Sequence, residues 1–141
     1  MALRALVTGA TGCIGANVVA ALLGHGYEVR ALRRVNSSVA ALAGLDPELA
    51  TGDILDPRSL ERAMDGCQLV FHVAAISDYW RTPAQRIYEV NVDGTANVLS
   101  CAVRTRTERL VYTSSSGALG LPGSGQLLDE RSTFNLPPKA F

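Results

Sequence analysis

The sequence predicts an α/β fold: a doubly wound parallel sheet of strand order 3-2-1-4-5 with helices on both faces. Three observations carry that prediction. Short β-branched runs alternate with longer stretches of helical spacing. A glycine-rich turn, Gly9-Ala10-Thr11-Gly12-Cys13-Ile14-Gly15, leaves the first strand and opens the first helix. The run Leu69–Ala75 is almost continuously apolar, as a strand covered on both faces requires.

The elements follow in order. Ala2–Val7 reads as the first strand, and Ile14, Val18, Val19, Leu22 and Leu23 then recur at helical spacing until Gly24 and Gly26. Tyr27–Leu32 is the second strand, followed by a weaker helix through Val39, Leu42 and Leu45 that ends before Pro47. Glu48–Thr51 is a short third strand. Asp56-Pro57 supplies an N-cap and a proline at the first helical position, with Leu60, Ala63 and Met64 facing inward. After the Leu69–Ala75 strand, one helix is expected from Ala84 to Val103, packing through Ile87, Val90, Ala96 and Leu99. Gly94 weakens that helix by roughly 1 kcal/mol relative to Ala, which points to close packing against a neighbour. Arg109–Thr113 is the fifth strand. Residues 1–116 thus read as the sheet-and-helix core, and residues 117–141, rich in Gly and Pro up to Pro137-Pro138, as a loop-rich segment.

Composition excludes several functions. The 141 residues suit one domain, and their 13 basic and 13 acidic side chains give no net charge. Nucleic-acid and anionic-membrane binders rest on a surplus of Lys and Arg, so neither is expected. No apolar stretch approaches the ~20 residues that span a bilayer. No secretory signal is visible at the N-terminus. Cys13, Cys67 and Cys101 form no C-x-x-C pair, in keeping with a reduced, cytoplasmic protein.

The glycine turn points to a dinucleotide. Close approach of a pyrophosphate to backbone leaves no room for a Cβ, and the free N–H groups at a helix start attract the anion. The competing explanation is an ordinary tight strand–helix turn. About 20 residues further on, where a carboxylate would clasp the adenosine ribose and select NAD, stand Arg33 and Arg34. A guanidinium there suits the 2′-phosphate of NADP, although strand-end arginines are also common as plain surface residues. NADP is the expected cofactor, with NAD the alternative. Asp53, after the third strand, can accept from the adenine amino group; a helix cap is its other reading. Ala74 and Ala75 are small enough for a ribose to pass over them, or simply for strand–helix packing.

Five segments together resemble the extended short-chain dehydrogenase/reductase superfamily, the NAD-dependent epimerase/dehydratase group. They are Thr8–Gly15, Gly52–Asp56, Val70–Ala75, Asn91–Val98 and Val111–Ser116. Within it the chain resembles dihydroflavonol-4-reductase-like and hopanoid-associated sugar-epimerase-like proteins. The resemblance implies a Rossmann-like fold in which Gly9, Thr11, Gly12, Cys13 and Ile14 line the pyrophosphate turn, and Gly15 lets the helix lie close to the sheet. It sets Arg34 on the 2′-phosphate, with Arg33 where NAD users carry an acid. Asp53 and Ile54 flank adenine, Val73, Ala74 and Ala75 run beneath the ribose, and Thr113 and Ser114 lie near the nicotinamide. Asn91 ties its helix to neighbouring strands. Ser115 matches the catalytic serine, which orients a carbonyl or alcohol for hydride transfer; a serine-rich strand cap is the bland alternative. Asp78, Tyr79, Trp80 and Arg81 fall on the expected rim, as substrate contacts or as an ordinary polar loop.

The family's Tyr-x-x-x-Lys is missing. Tyr27, Tyr79, Tyr88 and Tyr112 all precede Ser115, and Asn135 stands four residues before the only lysine, Lys139. The expectation is therefore the N-terminal part of a longer oxidoreductase, weak in cofactor binding and inactive alone. Two other functions stay open: a nucleotide-sugar epimerase or dehydratase with tightly held cofactor, and a non-catalytic dinucleotide sensor. Relatives of this type often pair as homodimers through a helix like Ala84–Val103.

Overall fold

In a computed structural model the structure describes residues 2–136. The Pro137-Pro138 pair and Lys139 lie outside the described residues. Strands β1 (Arg4–Thr8), β2 (Glu28–Arg33), β3 (Glu48–Thr51), β4 (Leu69–His72) and β5 (Arg109–Tyr112) form one sheet. Its order is β3-β2-β1-β4-β5, and every pairing is parallel. This is the topology the alternating pattern predicts.

Alternation along β1 builds two cores. Ala5 and Val7 join Val19, Leu22, Val29 and Ala31 under helix α1 (Cys13–Gly24). Leu6 joins Leu32, Ile54, Leu60, Met64, Val70, Val98 and Cys101 on the other face. That face is covered by α2 (Pro57–Met64) and α4 (Gly94–Arg104). Asp56 caps α2 by accepting from the Arg58 N–H at 3.1 Å, with Pro57 at the first helical position. No helix among the described residues is long and apolar enough to cross a membrane.

The structure corrects three expectations. The stretch expected as a helix near Val39–Leu45 is a single 3-10 turn, Ala40–Leu42, closed off by Gly44 at φ +79°. The helix expected over Ala84–Val103 is instead α3 (Ala84–Tyr88), a π-helical turn (Glu89–Asp93) and α4. The cause is tertiary. Asn91 accepts from the Ile76 N–H at 2.7 Å and donates to the Ile76 carbonyl at 2.9 Å, fixing the wide turn from outside the helix. One helical period drawn through the whole stretch then loses phase. Ala96 and Leu99 face outward, whereas Gly94, Val98, Cys101 and Ala102 are buried. Ile14, read as part of the periodic apolar set, is 59% exposed; Gly15 and Ala16 make the first contacts with the sheet in its place.

Gly94 does pack closely, as its cost to the helix suggests. A Cβ there would fall 2.6 Å from Ile54 Cδ1.

Candidate functional site

A cleft opens at the carboxyl ends of β1 to β4, where chain direction switches from β1 outward on either side. Open α/β sheets bind their ligands at such a switch point. The cleft is built from four strand ends in turn.

After β1, Gly9 adopts φ +68°, and a Cβ on it would sit 2.7 Å from the Ala74 nitrogen. Its carbonyl accepts from the Gly12 N–H at 3.0 Å. A Cβ on Gly15 would run into that same Gly9 carbonyl. Gly12 differs: it has ordinary extended backbone (φ −87°, ψ 170°), and a Cβ there would meet nothing nearer than Gly9 O at 3.4 Å. Gly12 caps α1 with no side-chain bond, so the first-turn N–H groups of Cys13 and Ile14 have no partner among the described residues. A helix start with free amides is an anion site in waiting. Gly12, Cys13 and Ile14 are exposed there.

At the end of β2, Arg33 and Arg34 line the cleft with Leu32 and Ser37. Arg33 Nη1 donates to the Val35 carbonyl at 3.0 Å, but its buried Nε has no hydrogen-bond partner among the described residues. The exposed Arg34 guanidinium has none either. Past β3, Asp53 Oδ1 accepts from the Leu55 N–H at 2.9 Å, an Asx turn that leaves Oδ2 available. Asp53 is not the helix cap; Asp56 is. Beyond β4, Ala74, Ala75 and Ile76 form the opposite wall, with Arg86 and Val90 from the helical layer. Arg86 pairs with Glu89 at 3.1 Å.

Half of the sequence-predicted set therefore meets: Gly9, Thr11, Arg33, Arg34, Asp53, Ile54, Ala74 and Ala75 line one cleft, whereas Gly12, Cys13, Ile14 and Gly15 are not in its lining. Val73 is half-buried just behind the wall. Thr113, Ser114 and Ser115 stand exposed past β5, at the same edge of the sheet but outside the cleft's lining. Thr113 donates its N–H to the His72 carbonyl at 3.0 Å. Ser115 Oγ accepts from the Gly117 N–H at 3.2 Å and so caps the 3-10 turn Ser116–Leu119. Sequence reasoning missed Leu32, Ser37, Ile76, Arg86 and Val90. It also missed the buried His72, whose partners come from three different elements.

The residues present fit a nucleotide carrying several anionic groups. An open cradle at Gly12, unpaired amides at the helix start and an orphaned buried guanidinium N–H all ask for acceptors. Three arginines face the cleft against one aspartate.

The family model for the "NAD dependent epimerase/dehydratase family" matches residues 5–140. The chain belongs to that family. Among its relatives, a protein of Synechocystis sp. (strain ATCC 27184 / PCC 6803 / Kazusa), provisionally named a dihydroflavonol 4-reductase, is 47% identical over 124 residues. That match covers 88% of this chain and 36% of the relative. A 3 beta-hydroxysteroid dehydrogenase/Delta 5-->4-isomerase of Mycobacterium tuberculosis (strain CDC 1551 / Oshkosh) is 38% identical, covering 94% of this chain and 38% of its own. The structure of UDP-glucose 4-epimerase from Brucella ovis in complex with NAD superposes with a TM-score of 0.81 at 28% identity, covering 95% of this chain and 42% of that one. The epimerase/dehydratase chain thus spans little more than a third of the length of the curated relatives it matches.

Proposed function

We propose that these residues form the coenzyme-binding part of an NADP(H)-dependent oxidoreductase that acts on a carbonyl or alcohol substrate. The observation that carries the reading is the pair Arg33 and Arg34 at the end of β2, one with a buried partnerless Nε and the other with an unpaired guanidinium. Carboxylate-free strand ends of this kind suit a 2′-phosphate. In this reading Gly9, Thr11, Gly12, Cys13, Ile14 and Gly15 receive the pyrophosphate. Arg33 and Arg34, with Ser37, hold the 2′-phosphate. Asp53 accepts from the adenine amino group beside Ile54, and Val73, Ala74 and Ala75 support the ribose. Bound coenzyme supplies a hydride donor or acceptor at its nicotinamide.

Thr113 and Ser114 lie toward that end, and the Ser115 hydroxyl, whose proton is free while its oxygen caps Gly117, donates to the substrate oxygen. A Tyr assisted by a Lys would serve as proton donor, and these 141 residues hold no Tyr-x-x-x-Lys. Residues 1–116 form the binding core, and residues 117–141 lead toward that catalytic pair. The free thiols of Cys13, Cys67 and Cys101 suit a cytoplasmic setting. Exposed Tyr88, Val92, Leu99 and Val103 suit pairing of two copies through α3 and α4.

Calorimetric titration of the chain with NADP+ and NAD+ tests the reading. Tighter binding of NADP+ is expected, and heat with neither coenzyme would overturn it. A second reading, a nucleotide-sugar epimerase or dehydratase using NAD, is favoured by the NAD complex of the Brucella relative. Coenzyme that copurifies and resists dialysis would select it.

A further inference from the structure

The wall of the cleft is held by a closed ring of hydrogen bonds, and at its centre lies a fully buried imidazole, His72. The segment Val73–Ile76 has left the sheet, so its backbone groups need other partners. Thr8 Oγ1 accepts from both the Val73 and Ala74 N–H groups at 3.2 Å. Two accepted bonds use the hydroxyl's acceptor capacity, so its own proton goes to His72 Nδ1, 2.7 Å away. At the other end of the chain of bonds, Thr95 Oγ1 donates to the Asn91 carbonyl at 2.7 Å, an oxygen that can only accept. Thr95 must therefore receive the His72 Nε2 proton, at 2.9 Å. Asn91 in turn clamps both backbone groups of Ile76 and closes the ring. Every direction is fixed, and only one form of His72 satisfies it: neutral, with the proton on Nε2.

We propose that His72, locked as this tautomer, is a positioning residue that ties the π-helical turn to the Val73–Ile76 wall and presses Ala74 against Gly9, so that the ring's integrity sets coenzyme affinity. The inference rests on the coenzyme reading above. A proton on Nδ1 would face the Thr8 hydroxyl donor to donor, and Thr8 could turn away only by releasing Val73 or Ala74. Among the described residues the ring meets the Thr8 hydroxyl from β1, the Thr95 hydroxyl from α4 and Tyr112 from β5, stacked at 5.4 Å. No carboxylate or cation shifts its titration, and burial alone lowers its pKa to about 4.

The test has two arms. Imidazole nitrogen–proton NMR on the 141-residue chain, which holds one other histidine, His25, should show His72 neutral and protonated on Nε2 from pH 7.5 down to pH 5.5. An Nδ1-protonated ring, or an imidazolium at pH 6, would overturn the proposal. In the second arm Thr95→Val removes the far acceptor, while Thr95→Ser keeps it. Thr95→Val should shift the Val73 and Ala74 amide resonances and weaken NADP+ binding about tenfold, and Thr95→Ser should bind within about twofold of the parent. Lower thermal stability of Thr95→Val with unchanged affinity would make the ring structural only and refute positioning. Should Thr95→Val not fold, the tautomer and the Thr95→Ser affinity still decide. A parent chain that binds no coenzyme overturns the function reading itself, an outcome distinct from binding that ignores Thr95.

Discussion

Gly94 sets the preference of a helix against its packing. Replacing a helical Gly by Ala ordinarily gains about 1 kcal/mol. Here the added Cβ would fall 2.6 Å from Ile54 Cδ1 and 2.9 Å from Cγ1. Gly94 is buried and Ile54 is 7% exposed, so neither retreats freely. Overpacking of this kind costs about 1–3 kcal/mol, and Gly94→Ala is expected to lose about 1 kcal/mol net. Ile54→Val removes the nearer clashing atom at a cost of its own of about 0.5–1.5 kcal/mol. The double variant keeps the Cγ1 contact at 2.9 Å but loses the nearer one, so part of the helical gain returns, a favourable coupling of about 1 kcal/mol. Urea denaturation at pH 7 measures all four chains, with an unchanged m-value as the control. A Gly94→Ala chain about 1 kcal/mol more stable than the parent, or two single effects that simply add, would refute the claimed contact. Because Ile54 also lines the cleft, the same displacement should weaken NADP+ binding in Gly94→Ala and less so in the double variant.

Replacing Arg33 and Arg34 together with Ala should cost NADP+ binding about 10- to 100-fold, the worth of one charge-assisted hydrogen bond. NAD+ binding should change little in the same titration; equal losses would remove the phosphate role. Gly9→Ala should prevent stable folding, since its φ of +68° and the Ala74 backbone both exclude a side chain, as circular dichroism would report. Gly12→Ala should stay within about 1 kcal/mol of the parent in stability yet bind coenzyme at least tenfold more weakly. The fourth prediction concerns acid. The folded pKa of His72 is lowered to about 4, below the ordinary value of 6.5, so the unfolded chain takes up its proton first. This group's contribution is complete above pH 6.5 and is lost as pH falls toward 4, about 3 kcal/mol in all. Denaturant midpoints at pH 7 and 4.5 should show this loss in the parent and not in His72→Phe.

What the sequence reveals here depends on whether the cause is local. The limits of β3, the Asp56 cap and the Gly94 contact are legible because each follows from neighbouring residues: a short run set between Pro47 and Gly52, an Asp-Pro pair, a glycine out of place in a helix. Strand order is legible because parallel crossovers admit few topologies. The π-helical turn is not, since its cause is an Asn91 bond to Ile76, 15 residues away. Arg86 looks like any charged residue on a helix, and only the fold turns it toward the cleft. His72 sits in an apolar run with no polar neighbour in sequence; its partners Thr8 and Thr95 lie 64 and 23 residues away.

The glycine turn itself shows how fold and ligand requirements separate. An ordinary strand–helix turn is the competing explanation for the motif, and it accounts for two of its three glycines. Gly9 needs its positive φ and its contact with Ala74, and Gly15 lies on the Gly9 carbonyl. Gly12 needs neither: its backbone is extended, and its nearest neighbour is 3.4 Å away, ordinary van der Waals contact. Gly12 is exposed and precedes the unpaired first-turn amides of α1, where a side chain would stand beside any anion they hold. The turn reading gives that glycine only the modest preference of an N-cap, and an anion drawn up against backbone supplies a stronger reason. Gly9→Ala and Gly12→Ala therefore form a pair whose contrast, folding lost in one and binding in the other, weighs the two explanations against each other within a single loop.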